Sequence, residues 1–166
     1  MDDLLSALAS KCREALTTDP GPDGRAQVAK ALSDALSDPA NVDQLVPMST
    51  GTRDLLYRDE DLGFCILAHN YEGPKTSPPH DHGPSWAIYA QARGETEMTD
   101  YELVTPASEE VPGEVRALRT YRLSPGDAHV YEVGELHSPS RNAPTSLLRV
   151  EGTDMSKIKR LRYVAV

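Results

Sequence analysis

The chain has little that would hold a small or secreted scaffold together by covalent means. Its 166 residues include two cysteines, Cys12 and Cys65, which lie 53 positions apart and share no CxxC spacing. That argues against a disulfide framework and makes two buried or free thiols the expectation. There is one phenylalanine and one tryptophan, against thirteen prolines, so turns are plentiful. No stretch approaches the ~18 consecutive apolar residues of a spanning helix, and the acidic start, Met1-Asp2-Asp3, is unlike the basic leader of a signal peptide. These features read as a cytoplasmic protein. Positive charge is also scarce: 17 Lys and Arg against 26 Asp and Glu give a net charge of −9. That sign repels phosphate backbones and anionic headgroups, and argues against nucleic-acid and membrane partners. The one basic run, from Lys157 to Arg162, reads as a solvated strand or tail.

The length fits one domain, which buries roughly 68–70% of the surface of its unfolded chain. Two parts are distinguishable within it. In residues 1–45, Leu4, Leu5, Leu8, Cys12, Ala15 and Leu16 recur at helical spacing. A Pro-Gly-Pro break at 20–22 ends that helix. Asp23 is the expected cap of a second one carrying Val28, Ala29, Leu32, Ala35 and Leu36, and a short third turn spans Val42 to Leu45. Residues 46–166 change to short runs separated by Gly and Pro. Strands are expected over 62–68, 86–91, 95–104, 114–123, 128–133, 146–151 and 161–166, a spacing that points to a sandwich or barrel. The expected fold is all-β, a barrel with N-terminal α-helices packed outside it. Nothing in the sequence sets the oligomeric state.

Five histidines are present, and His80-Asp81-His82 is the informative pair. Residues two apart on a strand project from one face, so both imidazoles can reach one ion. Further on come a Ser124-Pro125-Gly126-Asp127 turn, a strand and Gly134-Glu135-Leu136-His137, with His137 fifty-five residues after His82. Together these resemble the two halves of the cupin signature, whose fold is a double-stranded β-helix, or jelly roll. Gly73, His80, His82 and Gly94 fill the first half, with one extra residue after Gly73, and Ala87 stands in the glutamate slot. The resemblance implies a metal held by His80, His82 and His137 with no carboxylate. Three neutral imidazoles leave a divalent ion its full charge and open positions. Imidazole alone does not choose iron(II) over zinc or nickel.

Within the cupins, the chain resembles the cysteine dioxygenase family of thiol dioxygenases. Thr52-Arg53, 27 residues before His80, is similar to the family's substrate-carboxylate arginine, and a helical segment before the barrel is shared. The resemblance implies an iron(II) dioxygenase acting on a small anionic substrate and O2, with Arg53 and Ser146 at the substrate. The family's late Ser-x-His-x-Tyr run is only partly kept: Ser146 is present, while Leu148 and Val150 replace the histidine and tyrosine. Tyr89 shares parity with Ala87 and could supply the missing hydroxyl. Arg149, alternating with Leu148, is expected to point away from the cavity. His69 and His129 read as structural, and Arg53 could equally pair with Asp54 or Glu60. Other readings of the same motifs are a metal- or ligand-binding cupin without turnover, used as a sensor or store, and an isomerase or carbon–carbon-cleaving dioxygenase.

Overall fold

A computed structural model describes residues 3–49 and 51–166. Three helices come first: α1 (Asp3–Thr18), α2 (Pro22–Leu36) and α3 (Pro39–Leu45). The second is capped by Gly21 rather than Asp23, because Pro22 takes the first helical position, where its missing N–H costs nothing, and Asp23 falls in the first turn. Asp38 caps α3 by accepting the Ala40 N–H at 2.9 Å. The α1–α2 corner is tight enough to require a glycine. A Cβ on Gly24 would stand 1.7 Å from the Asp19 carbonyl oxygen.

Ten strands follow in two five-stranded sheets. The first sheet runs, in spatial order, β1 (Asp54–Arg58), β2 (Cys65–Tyr71), β9 (Thr145–Glu151), β4 (Ala87–Arg93) and β7 (Ala128–Tyr131). The second runs β10 (Tyr163–Ala165), β6 (Gly113–Leu123), β5 (Thr96–Thr105), β8 (Leu136–Arg141) and β3 (Lys75–Thr76). All pairings are antiparallel except β10 with β6. The described residues are thus mostly β with three helices, and two facing, largely antiparallel sheets fit a jelly roll. Three strands were not expected from the sequence: β1, β3 and β8. The last contains His-Ser-Pro-Ser, which reads as a turn, yet it is paired on both sides.

Alternation along the first sheet decides what lies where. Ile66, Ala68, Ile88, Ala90, Leu148 and Val150 share one hydrophobic cluster with Leu8, Cys12, Val28, Leu32 and Leu45 of the helices. That is the outer face, where each fully buried Leu, Ile or Val stabilises the fold by roughly 1.5–3 kcal/mol. The opposite face looks into the barrel. There Ala87, Tyr89 and Tyr131 pack with Met98 and Leu123 of the second sheet. The register Leu67↔Arg149↔Tyr89 across β2, β9 and β4 puts Arg149 on this inner face.

Candidate metal centre

His80 lies beyond the end of β3 and makes an isolated antiparallel bridge with His137 of β8. The two residues exchange both backbone hydrogen bonds, each N–H donating to the other's carbonyl at 2.9 Å. A directly opposed pair of this kind holds the two side chains together on one face. His82 follows two residues later, before a turn that Asp81 closes by accepting the Gly83 N–H at 3.0 Å. Gly83, at φ +56°, takes the left-handed conformation there.

One ligand atom from each of His80, His82 and His137 lies within 4.8 Å of the other two. The Nε2 atoms of His82 and His137 are 3.3 Å apart. Two nitrogens bound to one ion at about 2.0–2.1 Å, with tetrahedral or right-angled geometry, stand about 2.9–3.4 Å apart, so the spacing fits a shared ion. The other ring nitrogen is tied back in His80 and His137, whereas His82 Nδ1 is buried with no partner among the described residues. His80 Nδ1 is 2.9 Å from the Pro78 carbonyl and His137 Nδ1 is 3.1 Å from the Glu135 carbonyl. Each Nδ1–H donates outward, which leaves the Nε2 lone pair facing the centre. Burial holds all three rings neutral. It pushes His80 down to about 4 and His137 to about 2, and lowers His82 as well, with the positive charge of Arg149 adding to the burial effect on each. Neutral, convergent imidazoles are the protonation state a divalent metal needs. The donor set therefore fits such an ion.

Tyr89 stands at the same point. Its hydroxyl is 3.1 Å from His82 Nε2 and 3.4 Å from His137 Nε2. The ring is almost wholly buried, and burial raises its pKa, so it is a neutral phenol that donates its hydrogen bond. Tyr131 stacks on the His137 ring with centroids 3.9 Å apart, which fixes that imidazole's plane. Ala87, in the glutamate slot, faces inward with no ligand atom to offer.

Other residues singled out from the sequence fall elsewhere. Arg53 reaches neither Asp54 nor Glu60. Its Nη2 is 3.2 Å from both Glu151 and Asp154, so its guanidinium is already taken by two carboxylates. Ser146 sits on the outer face, in register with Asn70, whose side-chain oxygen accepts the serine hydroxyl. The Ser146–Leu148–Val150 frame is therefore the helix-facing one, and its companions Leu147, Arg149 and Glu151 face the interior. This corrects the expectation for Arg149, which is buried against the Tyr89 ring, 4.2 Å from its centre. His69 is buried on the inner face, with Nδ1 3.4 Å from the Tyr71 hydroxyl. His129 packs between Tyr121 and Tyr131. Sequence reading missed Arg141, which is 1% exposed. Its even spacing from His137 along one strand would have flagged it, had β8 been recognised.

No protein-family model matches the sequence, and no curated protein matches it by sequence. Solved structures with a similar fold include cupin-domain proteins. KdgF from Halomonas sp. is 20% identical, with a TM-score of 0.44 over 60% of this chain and 74% of that one. The Cnp3 cupin domain of Schizosaccharomyces pombe is 13% identical, with a TM-score of 0.46 over 61% of this chain and 64% of that one. A cupin-2 domain protein of Shewanella frigidimarina is 12% identical, with a TM-score of 0.42 over 59% and 76%. Among the described residues, no helix is long and apolar enough to cross a membrane.

Proposed function

We propose that this protein is a mononuclear non-haem iron(II) dioxygenase of the thiol-dioxygenase kind, which adds O2 to a small anionic substrate. The observation that carries the reading is the convergence of three neutral histidines, with no carboxylate or thiolate in the ligating group. An all-imidazole set leaves a divalent ion undiminished in charge, and so receptive to an anionic substrate atom beside oxygen. A redox-active ion supplies electron transfer and a common template for the two reactants. His80, His82 and His137 would hold it; Tyr89 would offer a hydroxyl to whatever binds beside His82 and His137; Tyr131 keeps His137 in plane. The reaction balances without an external reductant. A thiolate R–S⁻ and O2 give a sulfinate R–SO2⁻, in which sulfur loses the four electrons that dioxygen gains.

The test is elemental analysis of the purified protein, followed by oxygen uptake of the ferrous form with a panel of thiols and 1,3-dicarbonyls. Uptake matched one-to-one by sulfinate supports the reading, and His137→Ala abolishes both iron content and uptake. Tight iron with no uptake on any compound overturns it in favour of a binding protein. Uptake with the dicarbonyls alone moves the activity to carbon–carbon cleavage.

A further inference from the structure

The interior beside the metal centre holds more positive charge than the protein neutralises. Arg149 has a partial partner in Glu151, at 3.4 Å, but that carboxylate also serves Arg53. Arg141 has the face of Tyr71, 4.3 Å from its guanidinium carbon, and no carboxylate pairs with it among the described residues. Arg141 and Arg149 are 1% and 8% exposed, respectively. Three of their nitrogens, Nε and Nη2 of Arg141 and Nε of Arg149, are buried with no hydrogen-bond acceptor. Burying N–H groups of a charged fork without acceptors is costly, and a fold has no reason to do so at two arginines close enough to repel each other unless something else supplies the acceptors. Burial pushes Arg141 below the ordinary arginine range and Arg149 adds to that effect, so an anion arriving here gains attraction from both.

Position ties this charge to the metal centre. Tyr89 is the link: its hydroxyl meets His82 and His137, and its ring face carries Arg149. Arg141 lies on the same face of β8 as His137, four residues on, or about 13 Å of strand. We propose that Arg141 and Arg149 form a carboxylate clamp, with Arg141 as the anchor, that holds the acidic end of a small substrate whose other end reaches the metal. The planar fork of arginine suits a carboxylate, which accepts two parallel N–H bonds. This assigns to Arg141 and Arg149 the role that family resemblance gave to Arg53, and it rests on the dioxygenase reading only for what happens at the substrate's far end.

The test compares two probes that differ in the acidic group, mercaptoacetate and 2-mercaptoethanol, titrated calorimetrically into metal-loaded protein. Oxygen uptake is measured in parallel. The parent is expected to bind mercaptoacetate at least tenfold more tightly than 2-mercaptoethanol. Arg141→Met removes that preference, keeps the metal content, and melts at or above the parent temperature, because an uncompensated buried charge has been replaced by an apolar chain of similar length. Arg141→Lys, which keeps the charge and loses the fork, retains a reduced preference. A parent with no carboxylate preference, or an Arg141→Met or Arg141→Lys protein with the preference undiminished, overturns the clamp. A merely structural arginine would instead lower the melting temperature of Arg141→Met and leave the preference of Arg141→Lys intact. A clear carboxylate preference with no oxygen uptake on either thiol keeps the clamp and removes the dioxygenase reading, so the two fail separately.

Discussion

Tyr89 and Arg149 are cross-strand partners on β4 and β9, and the Arg149 guanidinium carbon stands over the phenol, 4.2 Å from the ring centre. The ring is thus held from one face by a cation, a contact worth about 2 kcal/mol when desolvated. Its hydroxyl is aimed at the Nε2 atoms of His82 and His137. A rigid ring with a directed O–H is a device for placing one hydrogen bond beside the metal.

Tyr89→Phe separates those two roles. The ring, its packing and the Arg149 contact survive, while the hydroxyl is lost. On the proposed iron dioxygenase reading, metal content is expected to hold, since the three imidazoles remain. Oxygen uptake per iron is expected to fall about tenfold or more, the scale of one directed hydrogen bond in a water-poor site. Parallel elemental analysis and oxygen-electrode rates check this. A fall in iron content equal to the fall in rate would make Tyr89 a support for the ligands instead.

Arg53 acts through Glu151. The Glu151 side chain is 2% exposed and shared between Arg53 and Arg149, whereas Arg53 is one-third exposed. Arg53→Ala leaves a buried carboxylate with half its partners, at an expected cost of about 1–2 kcal/mol after allowing for solvent at the Arg53 end. Urea denaturation should show this as a lower midpoint with an unchanged slope. In a double-mutant cycle with Glu151→Gln, the two changes should couple by about 1 kcal/mol, since they share one contact. Additive effects would mean that Arg53 is held by Asp154 alone.

The sequence carried the centre and blurred its surroundings, for a physical reason. His80, His82 and His137 are legible because their spacing is local or set by a recognisable turn-strand-turn. The helices are legible because Leu and Ala repeat with helical period. Faces of β9 were harder to read, since every residue from Thr145 to Glu151 is buried and hydrophobicity cannot say which side is inside. Leu148 and Val150 face apolar helices; Arg149 and Glu151 face the barrel interior, where they contact each other, Tyr89 and Arg53. The charged pair is therefore the interior one, the reverse of the usual rule for a surface strand. β8 was hidden by Pro139, whose carbonyl still accepts the Ser77 N–H at 3.0 Å although its nitrogen has no hydrogen to give. With that strand unrecognised, the common face of His137 and Arg141 could not be read.

His69 gives the fold a dependence on pH separate from metal binding. The ring is buried on the inner face of β2, and among the described residues its Nε2 has no hydrogen-bond partner. Burial, helped by the positive charge of Arg149, pushes it down to about 2. The unfolded chain takes up a proton on this histidine below about pH 6.5; the folded chain does not. A folded pKa below the unfolded one means that the unfolded state binds more protons, so stability is fully present above about pH 6.5 and is lost as the pH falls. One proton gives a slope of about 1.4 kcal/mol per pH unit, or about 2 kcal/mol between pH 6.5 and 5. Other buried histidines steepen the total, so the comparison must isolate this one. Relative to the parent, His69→Leu is expected to gain that 2 kcal/mol across the same interval, because leucine fills the site and binds no proton in either state. Urea unfolding of both proteins at pH 7.5, 6.5, 5.5 and 5 measures the difference directly. Curves that stay parallel down to pH 5 would mean that His69 accepts its proton in the folded barrel, with the Tyr71 hydroxyl oxygen, 3.4 Å away, as its acceptor.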